Sequence, residues 1–480
     1  MTKIAISAIE TPKRAGFLGV GTALAASILI SISLLLAYQH FSWYFILAGA
    51  LFFFASSIVA LMGDVAKRLI YSVFLVQITA ALFLQLSFYV TVICLLFFIP
   101  ILLLSDDLGD IDVIPFRRSM FLMLVGWLTA LVYTTVFCYS YRGYILMSDI
   151  NLLLGFSVAY MVFCLFKLKY LDVDRLLFYT ALSGLVFIGA VLARYFIQGI
   201  PHRIFGDRFG MSVNVNSNFL ALYLNIAIAC AFFMALFEEK RNITKKIFLY
   251  TLSMFFLIIM LMTVSRGSLL GLMAIAAYYL WIKRSKKLLL GVVAGTCIAY
   301  FTVGSKMVAR MLNPTYSDLV SDYGRVELLR AAFGILRENY FLLGVGMDNF
   351  TWLKFEHGFP IWFPAPVPVE ALSSHNVYLE MWLGWGILGV LGWLIFNIGI
   401  IYALFRYKNE KYRGASRAIA FAMISFLLYG FVDSNIGNYS MMFTYFSLVG
   451  AAFFIITQKN TVNKHYSQAA ACACFANEKT

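Results

Sequence analysis

Long apolar runs recur through nearly the whole chain, and they limit its fold more than any other feature of the sequence. A run of about 17 residues or more can cross the hydrocarbon core of a bilayer as an α-helix. Hydrophobic residues make up 62% of the 480 residues and charged residues 12%, whereas soluble domains are about one quarter charged. The sequence therefore predicts an all-α polytopic integral membrane protein with about 12–14 transmembrane helices.

The apolar runs divide into fourteen predicted spans, and the short gap between the third and fourth leaves the count open by two. The first span follows an N-terminus without a cleavable signal pattern, so we expect it to be retained. The predicted spans cover residues 16–38, 41–62, 69–86, 87–104, 119–139, 150–166, 176–198, 216–237, 247–264, 267–282, 288–304, 376–405, 416–432 and 440–457.

Basic residues are distributed unevenly between the two sides of this topology. With the N-terminus in the cytoplasm, 26 of the 37 Lys and Arg residues fall on the cytoplasmic side and 11 fall outside. Six of those 11 lie in one long external loop, residues 305–374, where the positive-inside rule has less force. We therefore expect both termini to be cytoplasmic. The net charge of +14 follows from this bias and from anionic lipid, and it requires no nucleic-acid partner.

The external loop 305–374 differs from the rest of the chain, because it carries five of the nine prolines. Its segment 325–339 has helical periodicity and predicts an amphipathic helix, lying either on the membrane surface or over a cavity. An ordered loop of this length is usually functional. The predicted apolar face consists of Val326, Leu329, Phe333 and Leu336, and the opposite face carries Glu327 and Glu338.

Polar residues in four segments fall on the external side of the predicted topology. Each has an ordinary interpretation, since Arg266 can snorkel to headgroups, Arg208 and Arg325 can be solvated charges, and a lone histidine such as His375 is often structural. Together they indicate an anion-binding site, because arginine forks bind diphosphate and histidine exchanges protons near neutral pH. The segments are Gly206–Gly210, Ser265–Gly267, Gly324–Arg325 and Ser374–Asn376.

The order of these segments resembles the O-antigen ligase and polymerase superfamily over roughly residues 200–435. The strongest element is His375-Asn376 followed, after nine residues, by Gly386-Ile-Leu-Gly389. It is similar to the ligase pattern His-[Asn/Ser/Gln]-x9-Gly-x-x-[Gly/Thr/Tyr]. The resemblance divides the chain into N-terminal transmembrane helices (1–199), a catalytic region that includes the loop 305–374 (200–435), and a last helix with a cytoplasmic tail (436–480).

The resemblance implies a periplasmic-face glycosyltransferase of the bacterial inner membrane. It would move a glycan from undecaprenyl diphosphate to a sugar hydroxyl with inversion, using no metal and no cofactor. Arg266 and Arg325 would hold the diphosphate, with help from Arg208. His375 would orient or deprotonate the acceptor hydroxyl.

The same resemblance implies two further site residues and a set of partners. Asn376 is expected to bind substrate, and Asp433 is expected either to orient His375 or to pair with an arginine. The implied partners are the undecaprenyl-diphosphate-linked glycan, a glycan acceptor that is lipid A core or growing polymer, membrane lipids and polysaccharide assembly proteins. No nucleic acid is expected.

The choice between ligase and polymerase stays open, with a preference for ligase. No arginine in the external loops begins an Arg-x10-Gly motif, a pattern of some polymerases, whereas the fourteen predicted spans exceed the twelve or so of familiar ligases. A protein O-oligosaccharyltransferase is a rarer third interpretation. A transporter is disfavoured because the spans are nearly free of ionisable residues. The seven cysteines lack metal-ligand spacing, so neither a disulfide nor a metal site is predicted.

Overall fold

The structure is a computed structural model, and it describes a little over half of the chain in detail. The described residues are 70–71, 73–74, 122, 125–129, 132, 142–204, 209–210, 213, 215–237, 242–263, 265–283, 316–346, 349–360, 374–433 and 440–458.

Ten α-helices with defined ends lie in these residues and are numbered here in chain order, and the described residues between 70 and 74 and between 122 and 132 are also helical. A π-helical turn, Leu336–Tyr340, continues the sixth helix, and short 3-10 turns lie at Pro201–Ile204 and Glu410–Tyr412. The helices are α1 Arg142–Lys167, α2 Val173–Ile197, α3 Ser217–Phe237, α4 Ile243–Met262, α5 Arg266–Lys283, α6 Tyr316–Ile335, α7 Phe350–Glu356, α8 Val377–Phe405, α9 Arg413–Gly430 and α10 Ser440–Gln458.

The predicted all-α membrane class is confirmed, since the described residues contain no strand. Helices α2, α3, α4, α8 and α10 are each long and apolar enough to cross a bilayer, and Leu152–Lys167 and Gly267–Ile282 are shorter apolar helices. The spans predicted from residue 150 to 282 and from 376 to 457 coincide with described helices. Four predicted spans, 16–38, 41–62, 87–104 and 288–304, lie outside the described residues, as do most of 69–86 and 119–139.

Helix α3 lies at the centre of the described bundle. It packs against α2, α4, α5 and α9, and it is apolar around its whole circumference, as expected of a helix without a lipid-facing or solvent-facing side. Phe233 of α3 stacks on Phe421 of α9 with ring centroids 4.8 Å apart. At the far end of the bundle, Arg417 of α9 donates to the last carbonyl groups of α8, those of Leu404 at 2.6 Å and Phe405 at 2.9 Å.

Helix α8 is interrupted at Gly386, where φ is 68° and ψ is −176°. The break changes the partners of nearby backbone groups: Ile387 N donates to Phe341 O at 3.3 Å, and Val345 N donates to Leu383 O at 2.5 Å. Polar backbone groups freed inside a membrane helix need such substitutes. The turn Phe341–Val345, which follows the π-helical turn, therefore docks into the break.

The predicted loop helix exists as α6, and Val326 and Phe333 share one side as predicted, but Leu336 lies on the buried side and Glu327 is not on an exposed polar face. Val326 and Phe333 are 53% and 48% exposed, whereas Glu327 is buried and pairs with Arg330 at 2.8 Å. The face that packs on the protein is centred on small residues that contribute little to apolar periodicity. It consists of Leu328, Ala331, Ala332, Ile335 and Leu336, and it meets Phe350 of α7 and Leu379 and Leu383 of α8.

Candidate active site

A histidine and an aspartate that are 58 positions apart in the chain meet at one end of the bundle. His375 Nδ1 lies 3.0 Å from Asp433 Oδ1. His375 directly precedes α8, and Asp433 follows α9 in a turn in which its own N–H donates to Tyr429 O at 3.2 Å. The pair is therefore held by the start of one helix and the end of the next.

The carboxylate of Asp433 is buried and accepts further hydrogen bonds through its second oxygen. Asn218 Nδ2 and Tyr429 Oη each donate to Asp433 Oδ2 at 3.0 Å. Burial by itself raises the pKa of Asp433, but the hydrogen bond and charge of His375, together with the hydrogen bonds from Asn218 and Tyr429, lower it further than burial raises it. The pKa of Asp433 therefore lies below its ordinary value, and the group is an anion at neutral pH.

This geometry is that of a base held by an orienting carboxylate. The side chain of His375 is 31% exposed, whereas that of Asp433 is 9% exposed, so only the histidine is accessible from outside the cluster. When Nδ1–H donates to the carboxylate, Nε2 is the basic nitrogen of the neutral ring, and the carboxylate stabilises the imidazolium that forms on protonation. The pair can accept a proton from a hydroxyl group brought to Nε2.

The backbone of His375 adopts a left-handed conformation with φ at 52°, which costs a non-glycine residue about 1 kcal/mol. The next residue fixes the position of the strained segment. Asn376 Oδ1 accepts from Leu379 N at 3.0 Å and caps α8, and Asn376 Nδ2 donates to Phe431 O at 3.2 Å. Asn376 thus ties the start of α8 to the end of α9, and its expected role in substrate binding stays a prediction.

The start of α5 lies against the same cluster. Arg266 is the first residue of α5, although its side chain lies outside the described residues. A Cβ atom placed on Gly267 would be 3.2 Å from Tyr429 Cδ2 and 3.2 Å from Val432 Cβ. The backbone that carries Arg266 is therefore within one side chain's length of Tyr429.

The loop before α3 is attached nearby. Arg208 lies outside the described residues, but Phe209 N donates to Met262 O at 3.1 Å, and Gly210 N donates to Tyr195 Oη at 2.9 Å. Because Met262 ends α4 four positions before Arg266, the chain that follows Arg208 runs beside the start of α5.

Arg325 is placed differently from the other candidates. It lies half-buried on α6, and within the described part of the chain no hydrogen bond or ion pair joins it to His375 or Asp433. Its helix is nevertheless fixed to the histidine's helix, since Ala332 and Ile335 pack in one cluster with Leu379. The structure brings together His375, Asp433 and the backbone of Arg266, and it does not bring Arg325 into direct contact with them.

Sequence reasoning missed Asn218 and Tyr429 as members of this site. Tyr429 stands four residues before Asp433, the spacing of one helical turn, and that spacing could have been noticed. Asn218 is an amide at the start of an apolar span, a weaker signal. Among the described residues, no group of three His, Cys, Asp or Glu side chains is arranged to hold a metal ion.

Part of the chain is similar to known proteins. Residues 251–394 match a family model described as O-antigen ligase. The chain is also similar to the Teichuronic acid biosynthesis protein TuaE of Bacillus subtilis (strain 168), with 26% identity over 268 residues, 52% of this chain and 53% of that protein. The chain thus spans about half the length of the curated relative it matches. Over this matched segment, which includes Arg266, Arg325 and His375, the chain is similar to the O-antigen ligase family.

Proposed function

We propose that this protein is a glycosyltransferase of surface polysaccharide biosynthesis that transfers a glycan from undecaprenyl diphosphate to a sugar hydroxyl. The observation that carries the proposal is the contact between His375 and the buried Asp433 at one end of a bundle of apolar helices. Two similarities support it: the O-antigen ligase family match over residues 251–394, and a relative named for teichuronic acid biosynthesis.

In the proposed reaction, His375 Nε2 takes the proton of the acceptor hydroxyl as its oxygen attacks the anomeric carbon of the donor glycan. The bond between that carbon and the diphosphate oxygen breaks, and the diphosphate leaves with the bonding electrons. A single displacement of this kind inverts the anomeric centre. Asp433 stabilises the imidazolium through Nδ1, and general-base help of this type is worth about 10²–10⁴ in rate.

Charge growing on the diphosphate needs fixed cations, and guanidinium groups supply them through bidentate hydrogen bonds. Arg266 is the first choice, because it opens α5 beside Tyr429. Arg208 precedes a segment tied to the end of α4, and Arg325 lies on the helix that packs with the first turns of α8. Three such cations would make a metal ion unnecessary.

The membrane orientation that we propose follows from the distribution of basic residues. The starts of α3, α5 and α8 and the end of α9 share one end of the bundle. The positive-inside rule assigns that end to the periplasmic face of the bacterial inner membrane. A donor carried by a membrane lipid and an acceptor outside the cytoplasm can meet there.

A ligase that transfers finished polymer to lipid A core is the version that we favour. The second candidate is a polymerase that joins repeat units on the lipid carrier. The relative named for teichuronic acid biosynthesis keeps this candidate open, since that name describes the building of a polysaccharide and specifies no lipid A acceptor.

Deleting the gene and separating the cell's surface glycans by electrophoresis tests the function. Loss of polymer from lipid A core, with polymer retained on the carrier, identifies a ligase, and a core that bears a single repeat unit identifies a polymerase. Complementation with His375→Ala should fail, whereas His357→Ala should restore the wild-type pattern, because His357 pairs with Glu338 away from the cluster. An unchanged glycan pattern in the deletion strain would contradict both candidates.

A further inference from the structure

One stripe of α6 exposes apolar side chains from Tyr323 to Phe333. Tyr323, Val326 and Phe333 lie at helical spacing on one side of the helix and are 54%, 53% and 48% exposed. Phe341, in the turn after the π-helical segment, is 49% exposed. Four large apolar groups in a row, three of them aromatic, exceed the scattered exposure expected of a water-facing helix.

The opposite side of α6 already provides the contacts that hold the helix on the protein. Leu328, Ala332 and Ile335 are buried against α7 and the first half of α8. The exposed stripe is therefore a second apolar face, and the fold of the loop does not depend on it.

The stripe continues into an apolar face of a candidate membrane span. The turn that begins at Phe341 docks into the break of α8 through Phe341 O, which accepts from Ile387 N and from Trp382 Nε1. Immediately after that break, α8 exposes one face at spacings of three and four residues, as expected where a span meets lipid. This face consists of Leu388, Leu391, Ile395, Ile398 and Tyr402.

Basic side chains occur along the same stripe. Arg330 and Arg337 follow Val326 at intervals of four and eleven residues and are exposed. Arg330 is paired with Glu327. Aromatic and arginine side chains together on one helical face are typical of the boundary between headgroups and acyl chains.

We propose that α6 is an interfacial helix, whose Tyr323, Val326, Phe333 and Phe341 stripe is buried at the headgroup boundary of the bilayer. Arg337 meets lipid phosphate groups there. The occupant is the bilayer surface, because the stripe joins the lipid-facing side of α8 at the Phe341 turn. This placement is independent of any transfer activity, and it sets the height of α6, and so of Arg325, relative to the membrane.

Photo-crosslinking to lipid tests the proposal on the full chain. p-Benzoylphenylalanine replaces Phe333, Tyr323, Glu338 or Ile398 one at a time, and the protein is reconstituted in phosphatidylethanolamine and phosphatidylglycerol vesicles and irradiated. Ile398 on the lipid-facing side of α8 is the positive control. Glu338 is exposed on α6's continuation but lies towards His357, so it is the matched negative control.

Phospholipid adducts at positions 333 and 323 should approach the yield at 398 and exceed that at 338 by about tenfold. Phe333 and Tyr323 are both aromatic, so either substitution is close in shape to the native residue, and one serves if the other fails to fold. Adducts at 333 and 323 no more frequent than at 338, or crosslinks from these positions to a second copy of the chain, would overturn the proposal.

Discussion

Asp433 is the residue on which the candidate site depends, because three side chains from three different helices or their ends converge on its carboxylate. His375 contacts one oxygen, and Asn218 and Tyr429 share the other. This division leaves the first oxygen directed at the imidazole. Asn218 and Tyr429 therefore act as positioning residues for the His375 and Asp433 pair.

Removing one positioning hydrogen bond should weaken transfer without abolishing it. A hydrogen bond to a charged group contributes about 1.5–3 kcal/mol, so Tyr429→Phe and Asn218→Ala should each lower kcat by about tenfold or more. The limb of the pH–rate profile that belongs to the pair should shift as well. An unchanged profile and an unchanged kcat in both variants would show that these contacts do not position Asp433.

The lowered pKa of Asp433 predicts how stability changes with pH. In the folded protein the pKa of the Asp433 carboxyl group lies below its ordinary value of 3.8. Its stabilising effect is therefore complete above pH 3.8. It is lost as the pH falls through the lower folded value. The gap in unfolding temperature between wild type and Asp433→Asn in detergent should persist from pH 8 to about 5 and narrow only below about 4. A gap that closes between pH 7 and 5 would contradict an ionised Asp433.

The planar fork of Arg266 should matter as much as its charge. A lysine keeps the charge but loses bidentate binding of phosphate, so Arg266→Lys should lose about tenfold or more in transfer rate while inserting normally. Arg330→Lys is the matched control, since Arg330 is exposed and paired with Glu327 outside the cluster. Wild-type transfer by Arg266→Lys would exclude bidentate diphosphate binding at that residue.

The chemistry of the site residues could be inferred from the sequence better than their arrangement. His375 and Asp433 stood out as polar residues at the ends of apolar spans. Their contact joins positions 58 apart and depends on how α8 and α9 pack, which no local pattern records. The left-handed backbone of His375 was equally invisible, because histidine, although enriched among non-glycine residues with positive φ, adopts that conformation in only a small fraction of cases.

At the scale of elements, the break in α8 connects the external loop to the histidine. The first half of α8 begins two residues after His375 and has Leu383 near its end, and the Phe341–Val345 turn hydrogen-bonds across the break. Gly386 permits this because of its positive φ, and a Cβ atom there would overlap Leu342 O. The glycine that begins the Gly-x-x-Gly part of the motif therefore has a structural role.

Substituting Gly386 should undock the loop. Gly386→Ala adds a steric overlap with backbone and a left-handed penalty, so we expect a loss of about 2–4 kcal/mol in stability. Transfer activity should fall with it. Gly189→Ala is the matched control, because Gly189 lies in α2 and a Cβ atom there meets nothing within 4 Å.

Apparent unfolding temperature in detergent and protease sensitivity of residues 341–345 measure the effect. Gly386→Ala should unfold several degrees lower and be cleaved faster in this turn, whereas Gly189→Ala should match wild type. Equal stability and equal cleavage in the two variants would mean that the turn does not hold the break.

Helices were predictable where length and hydropathy determine them. The spans 216–237 and 376–405 differ from α3 and α8 by a single residue at one end. The break inside α8 was not predictable, because Gly386 stands in an unbroken apolar run and its partner is the distant Phe341 turn. The buried side of α6 was not predicted, since Ala331 and Ala332 give a weak apolar signal although both are buried.

At the scale of the whole molecule, the bundle collects polar groups at one end. The cluster draws on four segments that are each separated by 49 positions or more along the chain. They contribute Asn218, Gly267, His375 and Asp433. Counting the apolar spans predicted that these polar segments lie on the same side of the membrane. The depth of burial of Asp433 arises from side-chain packing and could not be predicted.

The transfer reaction itself tests this arrangement most directly. Purified protein in vesicles, supplied with its undecaprenyl-diphosphate-linked glycan and an acceptor in the presence of EDTA, should release the diphosphate carrier and extend the acceptor. His375→Ala should lower the rate by about 10²–10⁴, and His357→Ala should leave it unchanged. Transfer by His375→Ala at the wild-type rate would contradict the proposed role of the His375 and Asp433 pair.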